Sequence, residues 1–208
     1  MTTSKPRITP LEPDQWNKDV ARVLGGTRQR VGELADSAAG PRPLNILMTI
    51  AHQPALLEPF IGFAAALALR GLLPRRESEL LALRTAWNCQ SAFEWGHHVL
   101  YAKAAGFDDS QIAAIAVGPS AAEWSASDRV LLRAADELHE SKNISDATWQ
   151  ELSASWNSGQ LVEIGFVVGN YTMLSMIANS TQVPLEPDLP PLPARQPRSE
   201  TGLESDSG

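Results

Sequence analysis

Apolar positions along the chain recur at helical spacing and almost nowhere alternate. Alanine and leucine dominate, and β-branched runs bounded by turn residues are nearly absent, so the pattern predicts an all-α protein. Up to Pro43 the chain is polar and mixed, with one short helix expected around Asp14–Leu24 and a loose connection over Gly25–Pro43. From Asn45 the character changes. A short helix is predicted over Asn45–Ala51, then a longer one from Pro54, which suits a first helical turn, to about Arg70. Gly71 is expected to end it in a left-handed conformation. Pro74 opens the next helix, which carries Glu77, Leu80, Leu81, Leu83 and Arg84 and lasts to about Trp87. After a break at Asn88-Cys89-Gln90, Ser91 starts a helix that runs through His98 to Ala105, closed by Gly106.

Four more helices follow from the same pattern: Ser110–Val117, one capped by Ser127, one from Ser145 through Trp156, and one over about Ser158–Asn179. In the second of these, Val130, Ala134 and Leu138 share a face. The last is apolar on most sides over Leu161–Val168, so it is expected to be buried all round, in the core or at a subunit interface. From Pro184 on, six prolines in 25 residues and few large apolar side chains predict a disordered tail. The expected organisation is a partly helical extension over 1–43, a helical domain over 44–185, and a disordered, acidic, Pro-rich tail over 186–208.

Composition narrows the choice of function. With 208 residues, 43% of them apolar, the chain can fill one well-packed domain. A net charge of −7 argues against a nucleic-acid binder, which needs a basic face for phosphates. The lone cysteine, Cys89, excludes an intrachain disulfide framework, a multi-cysteine metal site and a Cys-x-x-Cys redox pair. The start, Met-Thr-Thr-Ser-Lys-Pro, lacks a signal peptide's apolar core, and the apolar stretch Phe60–Leu73 is interrupted by Arg70 and too short to cross a bilayer. A cytoplasmic protein without membrane contact is expected.

The chemistry concentrates between Glu79 and His98. Glu94 and His98 are four residues apart on one predicted helix, so their side chains share a face. A carboxylate beside an imidazole fixes its tautomer and raises its basicity, which suits acid–base work near neutral pH. His97 points about 100° away from His98, so it lies at the edge of any such pocket or elsewhere. Structural roles fit the same residues: Ser91-x-x-Glu94 matches a capping box, and His98 suits a satisfied core position. Glu77, Glu79 and Arg84 would alone describe a solvated helix face. Glu-x-x-x-His supplies only two metal ligands, and His52 and His139 are isolated, so neither a metal nor another cofactor is expected.

The run Arg-x-Glu-x-Glu-Leu-Leu-x-Leu-Arg-Thr-Ala from Arg75, followed by Phe93-Glu94-Trp95-Gly96-His97-His98, resembles the hallmark of the carboxymuconolactone decarboxylase family. Flanking pieces over Leu44–Leu185 fit its longer members: Ala51-His52-Gln53-Pro54, Ala135-Asp136-Glu137-Leu138-His139 and Gly169-Asn170-Tyr171. The resemblance implies an alkylhydroperoxidase D-like helical bundle that assembles as trimers or hexamers. The redox branch has a glutamate, then eleven residues, a cysteine, two residues, a cysteine, three residues and a histidine. Aligned on His98, that pattern puts Glu79 at the glutamate but Ser91 and Glu94 at the cysteines, so the dithiol cycle is chemically closed to this chain.

The decarboxylase branch, which likewise lacks the cysteines, implies loss of CO2 from a small carboxylated lactone. Glu94, His98, Glu79 and His97 are then the candidate catalytic residues, and Arg84, Ser91 and Tyr171 the candidate substrate-binding residues. Two other classes remain. One is a peroxidase that uses Cys89 as a single reactive thiol, favoured if its pKa is lowered beside a helix start. The other is a non-catalytic helical oligomer that binds a ligand.

Overall fold

The computed structural model describes residues 5–25 and 44–195. It is all-helical, with no strand among the described residues. A 3-10 turn over Pro13–Gln15 leads into α1 (18–25), whose start is capped by Asn17 through a 2.9 Å bond from the Val20 amide. Then come α2 (Asn45–Ile50), α3 (Pro54–Arg70), α4 (Arg75–Asn88), α5 (Ala92–Ala104), α6 (Asp109–Val117), α7 (Ala126–Ser141), α8 (Asp146–Ser153) and α9 (Ser158–Thr181). The loose connection expected after Gly25 lies outside the described residues.

Helix α4 is the hub: α5, α6, α7 and α9 all pack on it. Its residues from Glu79 to Trp87 are buried without a break. The main core joins Leu80, Leu81 and Leu83 of α4 to Trp95 of α5, Leu131 of α7 and Ile164 of α9. A second cluster covers the other end, where Val20 and Leu24 of α1 meet Met48 of α2, Leu57 of α3, Phe93 of α5 and Leu174 of α9.

Several boundaries differ from the sequence pattern for local reasons. Gly71 is not left-handed (φ −59°, ψ 153°). Glycine is needed there because a Cβ would lie 2.3 Å from Glu163 Oε1, the carboxylate that takes the Leu72 amide. Ser125, not Ser127, caps α7, closing a capping box with Asp128. Helix α8 stops at Ser153, short of Trp156. In α9 burial is one-sided: Leu161, Ile164, Val167 and Val168 enter the core, but Val162, Phe166, Met173 and Met176 are exposed. Although α9 has the length and hydropathy of a membrane span, its inner stripe, Glu163 and Asn170 included, is part of the bundle core.

The tail departs furthest from expectation. After Gln182 ends α9 in a left-handed conformation, the chain turns back across α5 as a strap. Gly96 is the notch that admits it: a Cβ there would lie 3.0 Å from Leu185 Cδ1 and 3.1 Å from Leu189 Cβ. Leu192 packs on the main core, and Arg195 donates to the Asn88 carbonyl at 3.2 Å. Asn45 ties the near end, its amide to Glu186 Oε1 at 2.8 Å and its side chain to the Pro184 carbonyl at 3.0 Å. Disorder from residue 186 is therefore corrected for 186–195; 196–208 lie outside the described residues. Prolines lower the entropy lost on docking, and the leucines between them supply the apolar area that average composition hid.

Removing residues 184–208 should lower the melting temperature by roughly 5 °C or more, since each kcal/mol moves a chain of this size by ~2–4 °C. A melt identical to that of the full chain would show that the strap adds nothing to stability.

Candidate active site

Helices α4 and α5 form a hairpin whose turn is set by two residues. Gln90 takes a positive φ of 51°, held by its side chain's 2.7 Å bond to the Trp87 carbonyl. Ser91 then caps α5, accepting the Glu94 amide at 3.4 Å. The return half of a capping box is missing: the Ser91 amide goes to the Ala86 carbonyl at 2.9 Å, which leaves the Glu94 side chain for other work. Ser91 itself is fully buried, so it acts as a cap.

The hairpin brings Glu79, Glu94 and His98 together. His98 Nδ1 lies 2.6 Å from Glu79 Oε2, and its Nε2 is 3.7 Å from Glu94 Oε2. The first is a short hydrogen bond, in which Nδ1–H donates to the Glu79 carboxylate, and this turns Nε2 toward Glu94. The second is beyond hydrogen-bond reach but close enough for strong electrostatic coupling. All three side chains are buried, at 1%, 3% and 4% exposure for Glu79, Glu94 and His98. Two aromatic rings stand edge-on to the imidazole: Tyr171 from α9 at 4.3 Å and Tyr101 from α5 at 5.4 Å. Burial pushes both phenols up, and the nearby carboxylates add to it.

Glu94 is the unusual group. Its Oε1 is buried with no hydrogen-bond partner among the described residues, and its pKa is pushed up to about 7. Burial is the main cause; His98 opposes it and Glu186 adds to it. Glu94 therefore holds a proton near neutrality and can give it away. His97 behaves in the opposite sense. Burial, helped by His98, lowers it to about 4, so it is neutral. It packs on Phe93 at 4.5 Å, and its Nε2 is 2.9 Å from Glu186 Oε2 without hydrogen-bond geometry at either ring nitrogen. His97 thus faces the strap rather than Glu94 and His98.

Arg84 is placed away from this centre. Its Nε and Nη2 hold both oxygens of Asp136 at 2.6 and 2.9 Å, and its Nη1 donates to the Ile115 carbonyl at 2.6 Å. Each of its three nitrogens is thus engaged by a fixed acceptor of the fold, which commits the guanidinium to Asp136 and Ile115. Nor are Glu79 and Arg84 a solvated face, since both are buried. Two residues were missed: Arg75, 2.6 Å from Glu79 Oε1, and Tyr101. Their spacing offered the signal, because Arg75 is four residues before Glu79 and Tyr101 three after His98. Cys89 sits at the end of α4 with Sγ 3.8 Å from His139 Nδ1. Burial raises its pKa, outweighing the Thr172 and Ser175 hydroxyls that lower it. No group of three His, Cys, Asp or Glu residues among the described residues is arranged to hold a metal ion.

The fold is that of the alkylhydroperoxidase D-like proteins. It is similar to a peroxidase-related protein with an alkylhydroperoxidase AhpD core from Ralstonia eutropha JMP134, at 17% identity and a TM-score of 0.73, over 88% of this chain and 93% of that one. A second peroxidase-related protein, from Silicibacter sp. TM1040, gives 18% identity and a TM-score of 0.73 over 90% and 96%. The debrominase Bmp8, in complex with 2,3,4-tribromopyrrole, gives 15% and 0.70 over 88% and 94%. At such identities the likeness is one of fold alone. No curated protein sequence matches the chain. Residues 54–137, which include the Glu79–His98 hairpin, match the model of the Carboxymuconolactone decarboxylase family.

The raised Glu94 has a consequence for stability. The folded state keeps a proton that the unfolded chain releases from the ordinary value of 4.5 upward, so stability is lost as pH rises toward about 7. Glu94→Gln removes that loss. Its stability relative to the wild type should improve between pH 4.5 and pH 8 by on the order of 3 kcal/mol in urea titrations. A difference that does not change with pH would mean that Glu94 titrates normally.

Proposed function

We propose that this protein is a cofactor-free carboxy-lyase, or a related isomerase, acting on a small carboxylated, lactone-like substrate in the cytoplasm. The observation that supports it is the buried line Glu79–His98–Glu94, in which a proton-holding carboxyl faces an imidazole whose other nitrogen is fixed. Decarboxylation breaks the bond between a ring carbon and the carboxylate carbon. The electron pair stays on the ring and spreads into the lactone carbonyl. Glu94 gives its proton to the ring carbon as CO2 departs, and water restores that proton through His98 Nε2. One proton is consumed for each CO2 released. Glu79 holds the imidazole in the tautomer this requires.

The Cys89–His139 contact favours a second reading, reduction of peroxide by a single thiol. Burial counts against it by lowering the thiolate fraction, and the chain has no second cysteine to resolve an oxidised Cys89. Thiol chemistry is therefore the runner-up.

The test is product analysis by mass spectrometry over a panel of carboxylated lactones, followed by variants on any substrate that loses CO2. His98→Asn and Glu94→Gln should each lower turnover on the order of 100-fold. The double variant should cost much less than the product of the two, because residues acting as a unit are non-additive. Near-wild-type rates with an intact fold would reduce the pair to structural residues.

The assembly into trimers or hexamers that the resemblance implied is proposed to cover Val162, Phe166, Met173 and Met176, the exposed stripe of α9. Light scattering should then give a multiple of the chain mass that falls to a single chain in Phe166→Glu/Met173→Lys. A single-chain mass for the wild type at micromolar concentration would remove this proposal.

A further inference from the structure

Arg75 stands at the start of α4, one helical turn before the buried Glu79. Its guanidinium lies 2.6 Å from Glu79 Oε1, and its side chain is 46% exposed. Glu79 therefore divides its two oxygens between Arg75 on one side and His98 on the other. The guanidinium also sits 5.6 Å from the centre of the Tyr101 ring, and that ring is 5.4 Å from the imidazole of His98. Among the described residues Arg75 has no other ion pair, hydrogen bond or ring contact. Arg76 and Arg84 are different: each spends two nitrogens on one aspartate, Asp128 and Asp136. A guanidinium carries five N–H donors in a rigid fork, so Arg75 keeps donors turned to solvent beside an acid–base centre.

We propose that Arg75 is the anchor for an anionic group of the ligand, a carboxylate above all, placing the ligand along Tyr101 with its far end at His98. The inference rests on the site being one for a small carboxylated molecule and assigns the residue that reads the charge. Glu79 fixes the guanidinium, so little side-chain freedom is lost when the anion arrives. Tyr101 supplies the apolar wall between the two ends. The neutral state of Glu94 below about pH 7 removes one competing negative charge near His98. The anchored carboxylate is one that remains on the molecule, because pairing with Arg75 stabilises the charged form and opposes its departure as neutral CO2.

The experiment is calorimetric binding of 5-oxotetrahydrofuran-2-carboxylate and of its neutral primary amide to the full chain at pH 6.5. The wild type should prefer the carboxylate by about tenfold or more, the scale of one hydrogen-bonded charge pair. Arg75→Gln should abolish that preference while leaving affinity for the amide within about twofold, and Arg75→Lys should keep part of it. Retained amide binding separates loss of the anchor from collapse of the Glu79–His98 pair. A preference unchanged in Arg75→Gln, or no preference or no carboxylate binding in the wild type, would overturn the assignment. Because binding is read without turnover, the anchor can stand even if no lactone in the panel releases CO2. Conversely, CO2 release with an unaltered preference in Arg75→Gln would leave the lyase reading intact and remove Arg75.

Discussion

The constraint on which the rest depends is the burial of α4 on every side from Glu79 to Trp87 while it carries a carboxylate and a guanidinium there. Glu79 and Arg84 sit within one unbroken buried run, and an unpaired ion there would cost several kcal/mol. Each must therefore be met by a partner brought in from elsewhere in the chain. Asp136 of α7 and the Ile115 carbonyl meet Arg84; His98 of α5 and Arg75 meet Glu79. The first arrangement is closed, with donors and acceptors matched. The second is open, because the imidazole that satisfies Glu79 has another nitrogen to offer. One burial problem thus has two solutions, and only the open one leaves a group able to exchange protons.

The same hairpin explains how a shared fold can host different chemistry. The positions that align with the cysteines of the redox pattern carry a buried serine cap and a carboxyl that holds a proton near neutrality. Neither can cycle electrons. Both leave the backbone geometry of the turn intact, because Gln90 and the Ser91 cap set the start of α5 independently of what residue 94 does.

Much of this was legible in the sequence, and the exceptions share a cause. Helical periodicity, prolines at helix starts and the Ser91 cap located nearly every element, because these are local signals. The Glu94–His98 pairing was legible for the same reason, being one helical turn. Arg84 was misplaced because its partner Asp136 lies on another helix, and a guanidinium's partner across a tertiary contact leaves no mark on its own neighbours in sequence. The strap was missed for a related reason: Leu185, Leu189 and Leu192 look solvated until α5 presents a surface to them. Gly71 shows a subtler failure. The residue was recognised as special, but the cause was the approach of Glu163, not a positive φ.

Gly96 lies in the middle of a buried helix, where glycine costs about 1 kcal/mol relative to alanine. Here the crossing of Leu185, Leu189 and Pro190 over its missing side chain gives that cost a reason. Residue 96 and the segment after α9 are therefore sterically coupled, although some ninety positions separate them. In a relative whose chain stops soon after α9, nothing would hold this position to glycine, and alanine should drift in. A relative that keeps both the long C-terminal segment and a bulky residue here should route that segment over a different part of the bundle.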